Sequence, residues 1–167
     1  MITRRTLILA LLLCISGCQS TAKPATKAKA DEPPPRTLYD RIGGEATIVA
    51  FVDDLIERVM ADPAVNFTRT GTTRPWRATP AKVAQLKARL IQFFGTATGG
   101  PQQYEGEDLR TAHRGMQISA AQFDAFVKDV AASLEHVGVK EKERKEMLEV
   151  LQSARGSIVE TGPRIGN

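Results

Sequence analysis

Beyond residue 18 the chain has no cysteine; the two it contains are Cys14 and Cys18. No disulfide can staple the rest of the chain, so whatever folds there does so by packing. Long apolar runs are equally scarce. The one unbroken run, Leu7 to Ile15, is shorter than the roughly 20 apolar residues that a bilayer-spanning helix takes. No segment sustains an alternation of apolar and polar residues, which speaks against a sheet. No internal repeat is present.

What the first 36 residues do contain is a leader and a tether. Arg4 and Arg5 precede the apolar run, so residues 1–17 read as a signal peptide and stand outside the fold. Ile15-Ser16-Gly17-Cys18 resembles the lipobox of bacterial lipoproteins. The resemblance implies acylation of Cys18, which becomes the new N-terminus, and a place in the cell envelope on a lipid anchor. Gln19 after the cysteine resembles outer-membrane sorting in Gram-negative bacteria; inner and outer membrane both stay open. The plain alternative is an ordinary secretory signal in which Cys18 is incidental. Thr3-Arg4-Arg5 faintly resembles a twin-arginine signal, although the very hydrophobic run after it favours the general export route. Residues 18–36 are rich in Ala, Lys, Thr and Pro, with Pro33 to Pro35 consecutive and no large apolar residue. Such a segment cannot offset the entropy of ordering and is expected to be a disordered, extended tether.

An excess of one charge is missing from the remainder. Of 23 basic and 19 acidic residues, two arginines lie in the leader and four cations with two acids in the tether, leaving 17 of each sign from residue 37 onward. The pI near 9.3 is therefore set outside the fold and gives no ground for a nucleic-acid partner. The last 131 residues suit one domain with one core.

Those residues read as all-α. Leu38 to Gly44 looks like a short turn or half-helix ended by glycines. From Glu45 to Ala61, Ile48, Val52, Leu55, Ile56 and Val59 recur at spacings of three and four, the period of an amphipathic helix, and Asp62-Pro63 stops it. Residues 64–79 read as a loop in which Trp76 anchors the chain. Thr79-Pro80 then supplies an N-cap and a proline at the first helical position. The helix it opens carries Val83, Leu86, Leu90, Phe93, Phe94 and Ala97, and Gly99-Gly100-Pro101 ends it. Ser119 and Gln122 form a capping-box pattern ahead of Phe123, Phe126, Val127, Val130 and Leu134. A last helix is expected from about Lys140 to about Val159. The stretch from Thr98 to Ile118 has no such pattern, and an irregular connection of that length inside a compact domain is usually functional.

Several motifs occur in one order: Leu-Tyr-Asp-Arg-Ile-Gly-Gly from Leu38, Glu-Arg-Val-Met-Ala-Asp-Pro from Glu57, Phe93-Phe94 followed by Gly-Gly-Pro, then Tyr104-Glu-Gly, and Ala-His-Arg-Gly-Met-Gln-Ile-Ser from Ala112. Together they resemble the group 1 truncated haemoglobins. The resemblance implies a two-over-two sandwich of helices over residues 37–160, with 161–167 a disordered tail. It also implies haem b, with His113 as the proximal iron ligand and a diatomic gas (O2, NO or CO) as the partner. A neutral imidazole suits that role. Without the resemblance, a lone histidine is more often a surface residue, which is how His136 reads.

By position, Phe67, Leu86, Leu90, Phe93, Phe94, Tyr104, Ile118, Phe123, Phe126 and Val127 correspond to residues that contact the haem; ordinary core is their other reading. Arg89 corresponds to a cation that reaches a haem propionate, or is a solvated charge. Many members place a tyrosine and a glutamine over the distal face, where Ile56 and Leu90 stand here, beside Leu86. Dioxygen held there would lack a charge-assisted hydrogen bond of about 1.5–3 kcal/mol, which speeds its release by about one to two orders of magnitude. The same lack counts against a nitric oxide dioxygenase or a peroxidase, which needs a distal acid or base, unless the loop between Phe67 and Thr79 supplies a donor. A globin framework that has lost haem and serves as an interaction module is the third reading. A reductase partner of unknown identity would accompany redox use.

Overall fold

The computed structural model describes residues 35–72 and 74–160. The expected leader, the lipidation at Cys18, the tether up to residue 34 and the tail 161–167 lie outside the described residues. Seven helices follow in order among those described: α1 Leu38–Ile42, α2 Gly44–Ala61, α3 Pro80–Ala97, α4 Leu109–His113, α5 Ala120–His136, α6 Glu141–Ser153 and α7 Arg155–Ile158.

The helix ends fall where side chains satisfy free backbone groups. Thr37 and Asp40 form a capping box on α1. Gly43, at φ 105°, turns the chain from α1 into α2, a left-handed conformation that glycine adopts without strain. The Thr79 hydroxyl accepts from Lys82 N–H at 3.4 Å and caps α3, with Pro80 at its first position. Ser119 and Gln122 cap α5 reciprocally, at 2.8 and 3.2 Å. The Asp108 carboxylate accepts from Thr111 N–H at 3.0 Å and starts the single turn of α4.

Ile48, Phe51, Val52, Leu55, Ile56 and Val59 of α2 are all buried. That helix lies centrally, packed on both α3 and α5, and α5 in turn packs on α6. Phe51 meets Phe94 of α3 edge to face at 5.0 Å between ring centres. Two helix pairs, α2 with α3 and α5 with α6, thus enclose one core. The arrangement is the two-over-two helical sandwich expected from the sequence, and the short α4 packs against α7 at its side.

The final helix differs from the expected single element: it breaks at Ala154 into α6 and α7. The Ser153 hydroxyl donates to the Val150 carbonyl at 2.6 Å, the oxygen that Ala154 N–H would take in a continuous helix. Ala154 N–H instead donates to Leu151, three residues back, at 3.0 Å. A serine that competes for a helical carbonyl in this way disturbs the ladder. The break lets Arg155 to Glu160 turn back towards α4.

Candidate functional site

A cavity of about 570 Å³ opens between α2, α3, α4 and α5. From α2 it takes Ile56 and Val59; from α3, Lys82, Gln85, Leu86, Arg89 and Leu90; from α5, Gln122, Phe123 and Phe126. The loop before α3 adds Val65, Asn66, Phe67, Arg69 and Trp76, and the remaining wall is His113, Met116, Ile118 and Ile158. Among the described residues three cations, Arg69, Lys82 and Arg89, and no carboxylate line it.

His113 ends α4, and its ring reaches the cavity. Nδ1 lies 2.7 Å from the Leu109 carbonyl. A carbonyl only accepts, so Nδ1 carries the proton, and the lone pair of Nε2 is left for another partner. Burial holds the imidazole below its ordinary proton affinity, against the opposing pull of the Leu109 carbonyl. Arg69 lowers it further. The ring is therefore neutral near pH 7, the state in which imidazole binds a metal. His136, by contrast, is exposed at the end of α5, 3.7 Å from Asp54.

The opposite wall is apolar along Ile56, Val59, Leu86 and Leu90. The loop adds Arg69 and Trp76 as donors to the cavity wall, and Arg69 lies near enough to His113 to act on it electrostatically. Trp76 anchors the loop as well: its ring stands edge to face on Phe67 at 5.0 Å, and its backbone amide donates to the Thr68 carbonyl at 2.9 Å. Asn66 is occupied within the loop, accepting from Thr70 N–H at 3.0 Å and donating to the Thr70 carbonyl at 3.2 Å. Burial, with Arg74 nearby, lowers the proton affinity of Arg69.

The structure brings Ile56, Phe67, Leu86, Arg89, Leu90, His113, Ile118, Phe123 and Phe126 around the cavity. It leaves four sequence candidates outside the lining. The cavity ends at Leu90 on α3, and one turn on Phe94 faces Phe51 in the core. Phe93 packs on Tyr104 at 6.0 Å, and the Tyr104 hydroxyl donates to the Glu107 carbonyl at 3.0 Å. Val127 packs against the hydrophobic core, since it is rotated about 100° from Phe126 around α5. Sequence reading left Arg69 open as a donor from the loop and did not assign Lys82, Gln85, Met116 and Gln122 to the wall. Lys82, Gln85, Leu86, Arg89 and Leu90 share one helix face at spacings of three and four, a signal that was present but polar at three positions.

Comparisons with known proteins agree with this geometry. The bacterial-like globin family model matches residues 37–160. The chain is 30% identical over 131 residues to a group 1 truncated haemoglobin of Mycolicibacterium paratuberculosis, covering 78% of this chain and 85% of that one. It is 29% identical over 123 residues to the group 1 truncated haemoglobin of a Nostoc species, covering 74% and 97%. The structure is similar to the truncated haemoglobin of Tetrahymena pyriformis in its Fe(III) form, with a TM-score of 0.65, 26% identity and coverage of 74% and 98%. It is also similar to a haemoglobin of Chloroflexus aurantiacus, with a TM-score of 0.61, 30% identity and coverage of 77% and 99%.

Proposed function

This chain belongs to the bacterial-like globin family and has iron-bearing haem as its cofactor, and on that premise we propose that His113 is the iron ligand and that the protein binds a diatomic gas reversibly. The residues present fit such a group. A volume of about 570 Å³ lies within the range of roughly 300–1,000 Å³ usual for cofactor sites. The apolar side chains of α2, α3 and α5 suit a flat macrocycle, and Arg69, Lys82 and Arg89 are cations for its carboxylates.

The observation that carries the ligand reading is the state of His113. One ring nitrogen is committed to Leu109 at 2.7 Å, and the other is free in a cavity that keeps the ring neutral. A backbone partner of this kind fixes the tautomer and orientation of a metal-binding imidazole. Haem bound there would supply an iron atom able to take up a small gas. Ile56, Leu86 and Leu90 are apolar and would offer such a gas no hydrogen bond. Carbon monoxide and nitric oxide, which depend little on such a bond, are then favoured relative to dioxygen. Stopped-flow dissociation tests this: dioxygen should leave quickly while carbon monoxide stays long, and a slow dioxygen release would contradict the apolar reading.

Arg69 gives one specific support to a second reading, a nitric oxide dioxygenase, because its guanidinium is a donor in the cavity wall. Mixing the oxygenated protein with nitric oxide decides between them; nitrate formation that falls in Arg69→Met favours the enzyme. We further propose an envelope location, resting on Ser16-Gly17-Cys18. Cys18→Ala should move the protein from the membrane fraction to the soluble one, and an unchanged membrane fraction would count against the anchor.

A further inference from the structure

The backbone that follows His113 takes two left-handed steps. Gly115 has φ 75° and Gln117 has φ 55°. For Gln117, which carries a side chain, such a conformation persists only where its surroundings impose it. A residue far along the chain contributes to this. One carboxylate oxygen of Glu160 accepts from Gly115 N–H and the other from Gln117 N–H, the latter at 2.9 Å. The Glu160 N–H in turn donates to the Ile118 carbonyl at 2.9 Å. Successive amides in such a turn converge on an anion, and here the chain's own carboxylate fills that place.

Glu160 does not line the cavity; its charge raises the proton affinity of His113 directly, and its two oxygens hold the backbone beyond that residue. It follows α7, which packs on α4, and Arg110 of α4 donates to the Gly156 carbonyl at 3.2 Å. On the far side of the turn, Arg74 donates to the Arg114 carbonyl. His113 thus has two separate constraints. Leu109 sets the rotation of the ring, and Glu160 sets the backbone immediately beyond it.

We propose that Glu160 is a positioning residue for the iron ligand: by holding the turn from Gly115 to Ile118, it fixes the direction in which Nε2 of His113 enters the cavity. The proposal rests on the assignment of His113 as ligand. Supporting groups of this kind around metal ligands change metal affinity about 10–100-fold when removed.

The test compares the full-length haem-loaded protein with Glu160→Ala and Glu160→Gln. In Glu160→Ala the iron–imidazole stretching band of the ferrous protein, read by resonance Raman, should shift and broaden, and haem loss should quicken by about 10-fold. In the haem-free protein, amide exchange at Gly115 and Gln117 should accelerate, with exchange at Leu55 and Val130 unchanged. Glu160→Gln keeps the side-chain length and one acceptor oxygen. It should lie between the two, and it serves as the test if the alanine variant does not fold. An unchanged band and unchanged haem loss in the variants, with a normal wild-type band, would overturn the positioning role alone. Absence of the band in the wild type would overturn the His113 assignment, and this proposal with it.

Discussion

On one side of the cavity Ile56, Leu86 and Leu90 stand on α2 and α3, each 18 residues long and bonded within itself. On the other side His113 stands on a helix of five residues, and the turn after it leans on Glu160 and Arg74. The first wall follows from helical periodicity and its own caps. The second is built by contacts between segments more than 39 residues apart. A substitution on the first wall should therefore change what the pocket tells a ligand, with the frame intact. One on the second should change how His113, the proposed iron ligand, is held.

The largest expected difference comes from giving the apolar wall a donor. Leu90→Gln should slow dioxygen dissociation by about 10- to 100-fold, the equivalent of a charge-assisted hydrogen bond of about 1.5–3 kcal/mol, with little change for carbon monoxide. An equal slowing of both gases would show that Leu90 acts by bulk alone. Smaller is the effect of loosening the loop that closes the cavity. Trp76→Ala removes the edge-to-face pair with Phe67, worth about 0.5–1.5 kcal/mol beyond burial, and should lower the melting temperature by a few degrees while raising the haem-loss rate. Melting without faster haem loss would separate the loop from the site.

The smallest is electrostatic and lies away from both walls. The Arg41 guanidinium donates to Glu146 and holds its carboxyl below the ordinary value of 4.5. A carboxyl with a lowered folded pKa contributes stability that is present above its unfolded pKa and is lost as the pH falls through the folded one. Acid unfolding should therefore include this loss below about pH 4.5. Glu146→Gln should remove it, with no change in the spectrum of the haem-loaded protein. Both side chains are partly exposed, so the effect is modest and screened by salt.

This contrast also explains what could be read in advance. Thr79-Pro80 and Ser119–Gln122 announced α3 and α5 because caps are local chemistry, and the apolar spacing in α2 matched its buried face. His113 stood out through an ordered set of motifs. The break at Ala154 did not, because it turns on one serine hydroxyl taking one carbonyl. Phe93 and Phe94 were expected at the wall through the resemblance, and neither it nor the apolar stripe says that the cavity ends at Leu90 on α3. The entry of Arg69 into the wall depends on loop geometry, including its φ of 56°. Glu160 lies 43 positions from Gln117, and no short-range pattern couples them.

The central claim, that haem is held in this cavity through His113, is tested most directly by absorption spectra of the protein with hemin, ferric and then reduced, with and without carbon monoxide. A sharp Soret band is expected that shifts on carbon monoxide and collapses to that of loosely bound hemin in His113→Ala. A Soret band and a carbon monoxide shift that survive unchanged in His113→Ala would contradict it.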